Sequence, residues 1–295
     1  MRRRHSSGWC SVLAATQLWA CLPDDTRATP GSVVVTASAQ ETLGNEGFVT
    51  SDGWRVSYRR FVIVAGELEL DGDACETYSE SEYSRVLDLV QPGPQRLGLV
   101  YGLGQCDFAF RVSAPLWDTL PGSGIDETDL VRLRTPGSDA HAANAGVSIG
   151  VEGTAARLGV VKRFSWQFRR FIQYTECALV DGESIERGLA LRGGRELAVD
   201  LAVHGDALFA ATASSSAFEP FRLADDTYGN ADGEVSLAEL ERVPWAGGPE
   251  PDGRLWATLG ERVYLGLLPS VVRFRGAGEC AVESSPTEPD SESGF

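Results

Sequence analysis

The sequence predicts a mainly β protein: an antiparallel β-sandwich-like domain with a few short helices and a C-terminal helical subregion. Three observations carry this. Apolar and polar residues alternate at period two through most of residues 33–204, the pattern of strands with one wet face. Helical spacing is confined to three short stretches. Length sets the frame: of 295 residues, roughly 260 remain once an N-terminal export segment and an acidic tail are set aside, enough for one large all-β domain or two small ones.

In chain order, Trp54, Val56 and Tyr58 share a face before RFVIVAGELEL continues extended. Cys106, Phe108, Phe110 and Val112 alternate with Asp107, Ala109, Arg111 and Ser113. Val147, Ile149 and Val151 repeat the pattern, as do Phe164, Trp166 and Phe168, then Leu197, Val199, Leu201 and Val203. The first helical signal is a capping box, Ser79-x-x-Glu82, with Tyr83, Val86, Leu87 and Val90 at helical spacing up to Pro92. The second is DETDLVRLR before Pro136. The third runs from Arg254 to about Ser270, with Leu255, Leu259, Val263 and Leu267 on one side. Residues 115–146, rich in Gly, Pro, Asp and Ala, read as a long excursion over the sheet. The domain boundaries expected are 1–20 for an export signal, 21–32 for a tether, 33–204 for the β domain, 205–280 for the helical subregion packed on it, and 281–295 for a disordered acidic tail.

The formal charge of −16 repels nucleic acid and anionic lipid headgroups and favours cations or basic partners. Lys162 is the single lysine among 26 basic residues, which reads as coding bias toward arginine in a GC-rich genome, not as recognition chemistry. Of six cysteines, Cys10 and Cys21 fall in the N-terminal segment. The even number left in an exported body implies disulfides. Cys75 and Cys106 flank one compact segment, while Cys177 and Cys280 follow a strand and a helix, so the pairing favoured is Cys75–Cys106 with Cys177–Cys280. The absence of any Cys-x-x-Cys spacing argues against a four-thiol metal site.

Arg2, Arg3 and Arg4 precede an uncharged run from Ser6 to Ala20 that ends in Leu18-Trp19-Ala20-Cys21. A basic start, a short apolar stretch and a small residue before the cut make an export signal, and the run is too short to span a bilayer. The Leu-x-Ala-Cys end resembles the lipobox of bacterial lipoproteins, although Trp19 stands where a small or branched residue is usual. By that resemblance Cys21 is lipidated and becomes the mature N-terminus, and Leu22 in place of Asp implies passage to the outer membrane. Cleavage after Ala20 by an ordinary signal peptidase, or an uncleaved anchor, are the alternatives. The strands GFVTSDGWRVSYRRFVIVAGELEL, the YGLGQC turn and the C-terminal GAGEC are likewise similar to an uncharacterised family of bacterial lipoproteins, a likeness that implies a structural role and no known activity.

The strongest chemical motif is DDTYGNADGEVSLAEL, residues 225–240. With Gly233 as the sixth loop position, it resembles an EF-hand calcium loop from the third position onward: Asn230 at three, Asp232 at five, the Glu234 carbonyl at seven, Ser236 at nine and Glu239 at twelve. Val235 at eight fits as well, since that residue normally pairs the loop into a small β contact. Tyr228 stands where the first ligand belongs, so that ligand is either absent or lent by Asp226 or Asp225 through a loop enlarged by two residues. By the resemblance, Ca²⁺ is the expected cofactor, bound weakly, at about 10⁻⁴ to 10⁻³ M as in extracellular modules. The competing reading is a plain turn and helix start in which Asp232, Gly233 and Ser236 cap the chain.

Other motifs carry less. His204-Gly205-Asp206 ends a strand and could bind a transition metal or act as a base, but His141 is the only other histidine of the mature chain and nothing in the sequence joins them. Gly146-Val147-Ser148-Ile149-Gly150 has Gly-x-Ser-x-Gly spacing but falls within an alternating strand pattern, not on a strand-to-helix elbow. Gly122-Ser123-Gly124 reads as a loop, and Gly102-Leu103-Gly104 as a turn into a strand. Phe164, Trp166 and Phe168 read as sheet core, with Arg163, Gln167, Arg169 and Arg170 forming a modest basic patch opposite. The expectation is a non-enzymatic lipoprotein of the cell envelope with a structural or binding role toward a protein or surface partner. The alternative is an exported enzyme or transition-metal carrier centred on His204 and Asp206.

Overall fold

The computed structural model describes residues 28–286 apart from 45, 182–183, 213–214, 249 and 251–252. The export segment, Cys21 with its expected lipid, and tail residues 287–295 lie outside the described residues. The fold is mainly β, as expected, with one large connected sheet and a few short helices. Along the main path of the sheet run the strands Glu234–Val235, Val160–Phe168, Ile149–Arg157, Arg55–Asp71, Gln95–Val112, Gly31–Ala39, Glu196–Val203 and Val272–Phe274. Nearly all neighbours are antiparallel; Gly31–Ala39 runs parallel to Glu196–Val203.

Two long strands curl this sheet. Gln95–Val112, of 18 residues, pairs through its first part with Gly31–Ala39 and Cys75–Ser79, and through its last part with Arg55–Asp71 and Phe171–Asp181. One strand therefore serves both halves of the core. The Gly102-Leu103-Gly104 segment, expected as a turn, lies inside this strand. Gly104 sits at φ +100°, and a Cβ there would come within 2.1 Å of the Ala74 carbonyl oxygen, so only glycine permits the bend that passes the Cys75 strand. Disulfides join Cys75 to Cys106 and Cys177 to Cys280, the pairing that the spacing favoured.

The enclosed core is aromatic at one end, where Phe164, Trp166, Phe209, Phe218 and Phe221 pack with ring centroids about 5 to 6 Å apart. Phe164, Trp166 and Phe168 are buried on one face of Val160–Phe168, as their alternation predicts. The basic residues near them bond to their own chain: Arg169 donates to the Thr135 and Ala145 carbonyls, and Arg170 to Ser284 Oγ.

Three expectations need correction. The helix predicted over residues 79–90 is the strand Ser81–Asp88, paired with Arg55–Asp71. Its apolar residues mimic helical spacing because both faces are covered: Leu87 enters the main core, whereas Val86 joins Val62, Val64 and Val147 beneath Leu130 and Leu133 of the helix Glu127–Arg134. A doubly buried strand loses its alternation. That covering helix is the one read from DETDLVRLR, and Asp126 caps it in a capping box. The third helix starts only at Leu259, capped by Thr258, and passes through a π-helical stretch, Arg262–Leu267, into a last turn at Leu268–Ser270; Leu255 lies outside it, exposed. The acidic tail begins later than composition suggested, because the strand Glu279–Ser285 pairs with Phe171–Asp181 beside the Cys177–Cys280 bridge. Residues 205–280 hold short helices interleaved with strands, and Glu234–Val235, Val272–Phe274 and the start of Glu279–Ser285 belong to the main sheet.

Candidate functional site

The loop read as EF-hand-like begins at the end of the helix Glu219–Asp226 and finishes in the short helix Leu237–Leu240. Gly233 has φ +85°, as the sharp turn demands. Val235 makes the β contact expected of it, but with the domain's own strand: Glu234 and Val235 lie parallel to Arg163 and Phe164, and the Trp166 indole N–H donates to the Val235 carbonyl at 2.7 Å.

That strand delivers Lys162 to the loop. Burial of Phe164, Trp166 and Phe168 puts Lys162, at even spacing from them, on the same inward face. Its Nζ donates to Asp225 Oδ2 at 2.6 Å and also to Asp226 Oδ1. Lys162 is 5% exposed and Asp225 0%. Burial pulls the ammonium's pKa down, but the bonds to Asp225 and Asp226 outweigh it and raise the pKa. The bond from Lys162 holds Asp226 below the usual carboxylate range, with help from Arg222.

The remaining loop oxygens are engaged from within. Glu239 Oε1 accepts the Asn230 N–H at 3.2 Å, and Oε2 accepts the Ser236 N–H at 2.9 Å and its hydroxyl at 3.1 Å. Ser236 Oγ in turn accepts the Glu239 N–H, which completes a capping box. Asp232 accepts the Glu234 N–H at 2.8 Å and the Asn230 amide at 2.9 Å. Asn230 Oδ1 accepts the Asp232 N–H at 3.1 Å. Ca²⁺ takes six to eight oxygens, and this donor set does not offer them: Asp225 and Asp226 face an ammonium and Glu239 faces N–H groups. Among the described residues no group of three or more His, Cys, Asp or Glu side chains is placed to hold a metal.

A cleft of about 920 Å³ includes His204 and Asp206 of the strand end. Ala210, Ser215 and Ser216 of a small hairpin form one wall. Trp245, Gly247, Gly248 and Glu250 form a second, and Arg262, Gly266 and Leu267 of the π-helical stretch, with Ser270 of the turn after it, a third. π-Helical turns are rare and concentrate at functional sites. Arg262 is buried, with Nε on Glu250 Oε1 at 2.9 Å, Nη1 on the Ala210 carbonyl at 2.6 Å, and its guanidinium 4.3 Å from the Trp245 ring centroid. His204 Nε2 donates to the Gly276 carbonyl at 3.1 Å. Two buried polar atoms of the cleft-lining residues, Trp245 Nε1 and Asp206 Oδ1, lack a hydrogen-bond partner among the described residues.

A smaller cavity, of about 440 Å³, is lined by Ser138, Asp139, His141, Leu237, Glu241 and Tyr264. His141 Nε2 meets Glu241 Oε1 at 2.7 Å, and Thr258 holds the other carboxylate oxygen at 3.1 Å. Burial and the bond to Asp139 push the Tyr264 hydroxyl's pKa well up. His141 lines this cavity whereas His204 and Asp206 line the other cleft, and Asp226 is engaged with Lys162, so among the described residues these groups do not share one site. Sequence reasoning missed the contributions of Lys162, Trp245, Arg262 and Glu241; of these only Lys162 carried a signal, its singularity.

Comparison with family models, curated proteins and solved structures finds no match. No helix among the described residues is long and apolar enough to cross a membrane. The two disulfides fit an oxidising compartment.

Proposed function

We propose that the chain is a non-enzymatic binding protein of the cell envelope, tethered by lipid on Cys21 to the outer membrane, whose 205–280 segment takes a small polar ligand in the His204–Asp206 cleft. One observation carries this reading: a buried donor, Trp245 Nε1, and a buried acceptor, Asp206 Oδ1, both unpartnered, belong to residues lining one cleft. Each such group costs about 1–3 kcal/mol when left unsatisfied, and ligand sites are where proteins retain that cost. The lining charges cancel, with Asp206 and Glu250 against Arg262 and Arg273, so a ligand without net charge suits it better than an anion or cation. A thermal-shift screen of neutral mono- and disaccharides and zwitterionic amino acids tests this, with Ala211→Trp as the variant that fills the cleft mouth. Stabilisation of wild type that Ala211→Trp abolishes is the expected result; no shift with any compound, or an equal shift in both proteins, overturns it.

Lipid attachment rests on the Leu18–Cys21 motif and the basic start, and palmitate labelling of wild type against Cys21→Ser tests it. An exported enzyme is the second reading, and the His141–Glu241 pair favours it over His204–Asp206, because a carboxylate holding an imidazole is a general-base arrangement. No nucleophilic side chain among the described residues hydrogen-bonds that imidazole, which is why binding remains the first reading.

A further inference from the structure

We propose that the EF-hand-like loop carries its cation covalently: the Lys162 ammonium takes the place that a bound divalent metal holds in such loops, and removing it turns the loop into a divalent-cation site. This inference concerns a different region from the cleft and stands independently of it.

The loop keeps the features that shape a calcium site and loses those that fill one. Gly233 makes the turn, Val235 makes the β contact and Glu239 closes the loop end. In paired calcium loops a second loop supplies the β partner; here the strand Val160–Phe168 does. Parallel pairing of Val235 with Phe164 fixes the register, and Lys162, two residues before Phe164 on the same inward face, is set against the end of the helix Glu219–Asp226. Asp225 Oδ2 receives both the ammonium at 2.6 Å and the Gly233 N–H at 3.0 Å. A single carboxylate oxygen therefore ties the internal cation to the turn.

The charge count agrees. A divalent ion calls for several carboxylates, whereas an ammonium offers one charge and three donors, and it meets two carboxylates, Asp225 and Asp226. Tyr228 in the first ligand position is then no defect, because no metal has to be held there. The fully buried Asp225 keeps one oxygen, Oδ1, without a hydrogen-bond partner. In a chain without the lysine, the Asp225 carboxylate has no cation and Asp226 keeps only Arg222, on its Oδ2, and the site accepts one from solution.

The test uses the full chain with both disulfides formed. In wild type, Ca²⁺ up to 10 mM should leave the melting temperature unchanged relative to EDTA, about tenfold above the weak extracellular range. Lys162→Ala should melt about 10 °C or more lower in EDTA and recover at least half of that loss with saturating Ca²⁺. Wild type stabilised by Ca²⁺ as much as the variant, or a folded variant indifferent to Ca²⁺, overturns the proposal. Should Lys162→Ala fail to fold, acetylation of wild type by an amine-reactive ester decides, since Lys162 is the single lysine: it should react at least 100-fold more slowly in the native protein than in urea, and equal rates overturn the idea.

Discussion

The loop at residues 225–239 and the cleft at His204–Asp206 share one C-terminal region and treat polar atoms in opposite ways. In the loop nearly every oxygen has a donor aimed at it, whether from Lys162, from the Gly233 and Glu234 amides or from the Ser236 hydroxyl. In the cleft Asp206 Oδ1 and Trp245 Nε1 face no partner. The motif that looks like a ligand site leaves one buried oxygen, Asp225 Oδ1, unpartnered, whereas a place with no motif leaves both a buried donor and a buried acceptor. Residue types at the right spacing mark what a segment could once bind; the satisfaction of its hydrogen bonds marks what it can bind now.

The largest difference between the two regions should appear on removal of a charge. Lys162→Ala leaves the fully buried Asp225 uncompensated and should cost about 3–5 kcal/mol, read by urea denaturation. Arg273→Ala in the cleft, whose side chain is 35% exposed and paired with an exposed Glu279, should change stability by about 0.5 kcal/mol or less. Equal losses would erase the contrast. The sign with pH follows from the raised Lys162 pKa: its contribution is full below about 10.4, the unfolded value, and disappears as pH rises through the higher folded value. The Cε resonance of ¹³C-labelled lysine, one signal in this chain, should therefore titrate above that of free lysine.

Much of the fold was legible, and the strand that was misread has a tertiary cause. The strands around Phe108, Ile149, Trp166 and Val199 were readable because each has one wet face. Ser81–Asp88 was not, since the helix Glu127–Arg134 covers its second face. Cysteine count and position sufficed for the disulfides. Lys162 was visible as a singular residue yet its meaning was not, because its partners Asp225 and Asp226 lie more than sixty positions away and meet it only through the Val235–Phe164 pairing. The cleft was invisible for a similar reason: His204, Trp245 and Arg262 converge only when the chain folds.

Gly229→Ala sharpens the loop side of the comparison. A Cβ at this position would come within 2.1 Å of Glu239 Oε1 and 2.7 Å of the Ala224 carbonyl oxygen, so the carboxylate that closes the loop must shift. A loss of about 1–3 kcal/mol is expected, together with faster amide exchange at Asn230 and Ser236, whose N–H groups Glu239 accepts. Unchanged exchange at both amides would show that the loop does not depend on Glu239.

Trp245→Phe probes the cleft side. It removes an indole N–H that has no acceptor among the described residues while an aromatic face stays under the Arg262 guanidinium. Stability should stay within about 1 kcal/mol of wild type, because deleting an unsatisfied donor relieves a desolvation cost that offsets the lost packing. A drop larger than about 2 kcal/mol would mean that the N–H is satisfied, and the cleft would lose the observation that marks it.

A small effect of the opposite sign is expected from Gly248→Ala, the counterpart in the cleft of the Gly229 substitution. Nothing lies within 4 Å of a Cβ at Gly248, and its backbone is outside the positive-φ region that demands glycine. Alanine there meets no neighbour and narrows the unfolded ensemble, so it should stabilise the protein by about 0.4–1 kcal/mol. The same chemical change therefore carries opposite signs in the two regions: it damages a loop whose interior is full and steadies a cleft wall that is open. Thermal denaturation of both variants beside wild type reads the pair directly. If Gly248→Ala destabilises as much as Gly229→Ala, the cleft wall is packed in solution, and the space assigned to a ligand is not there.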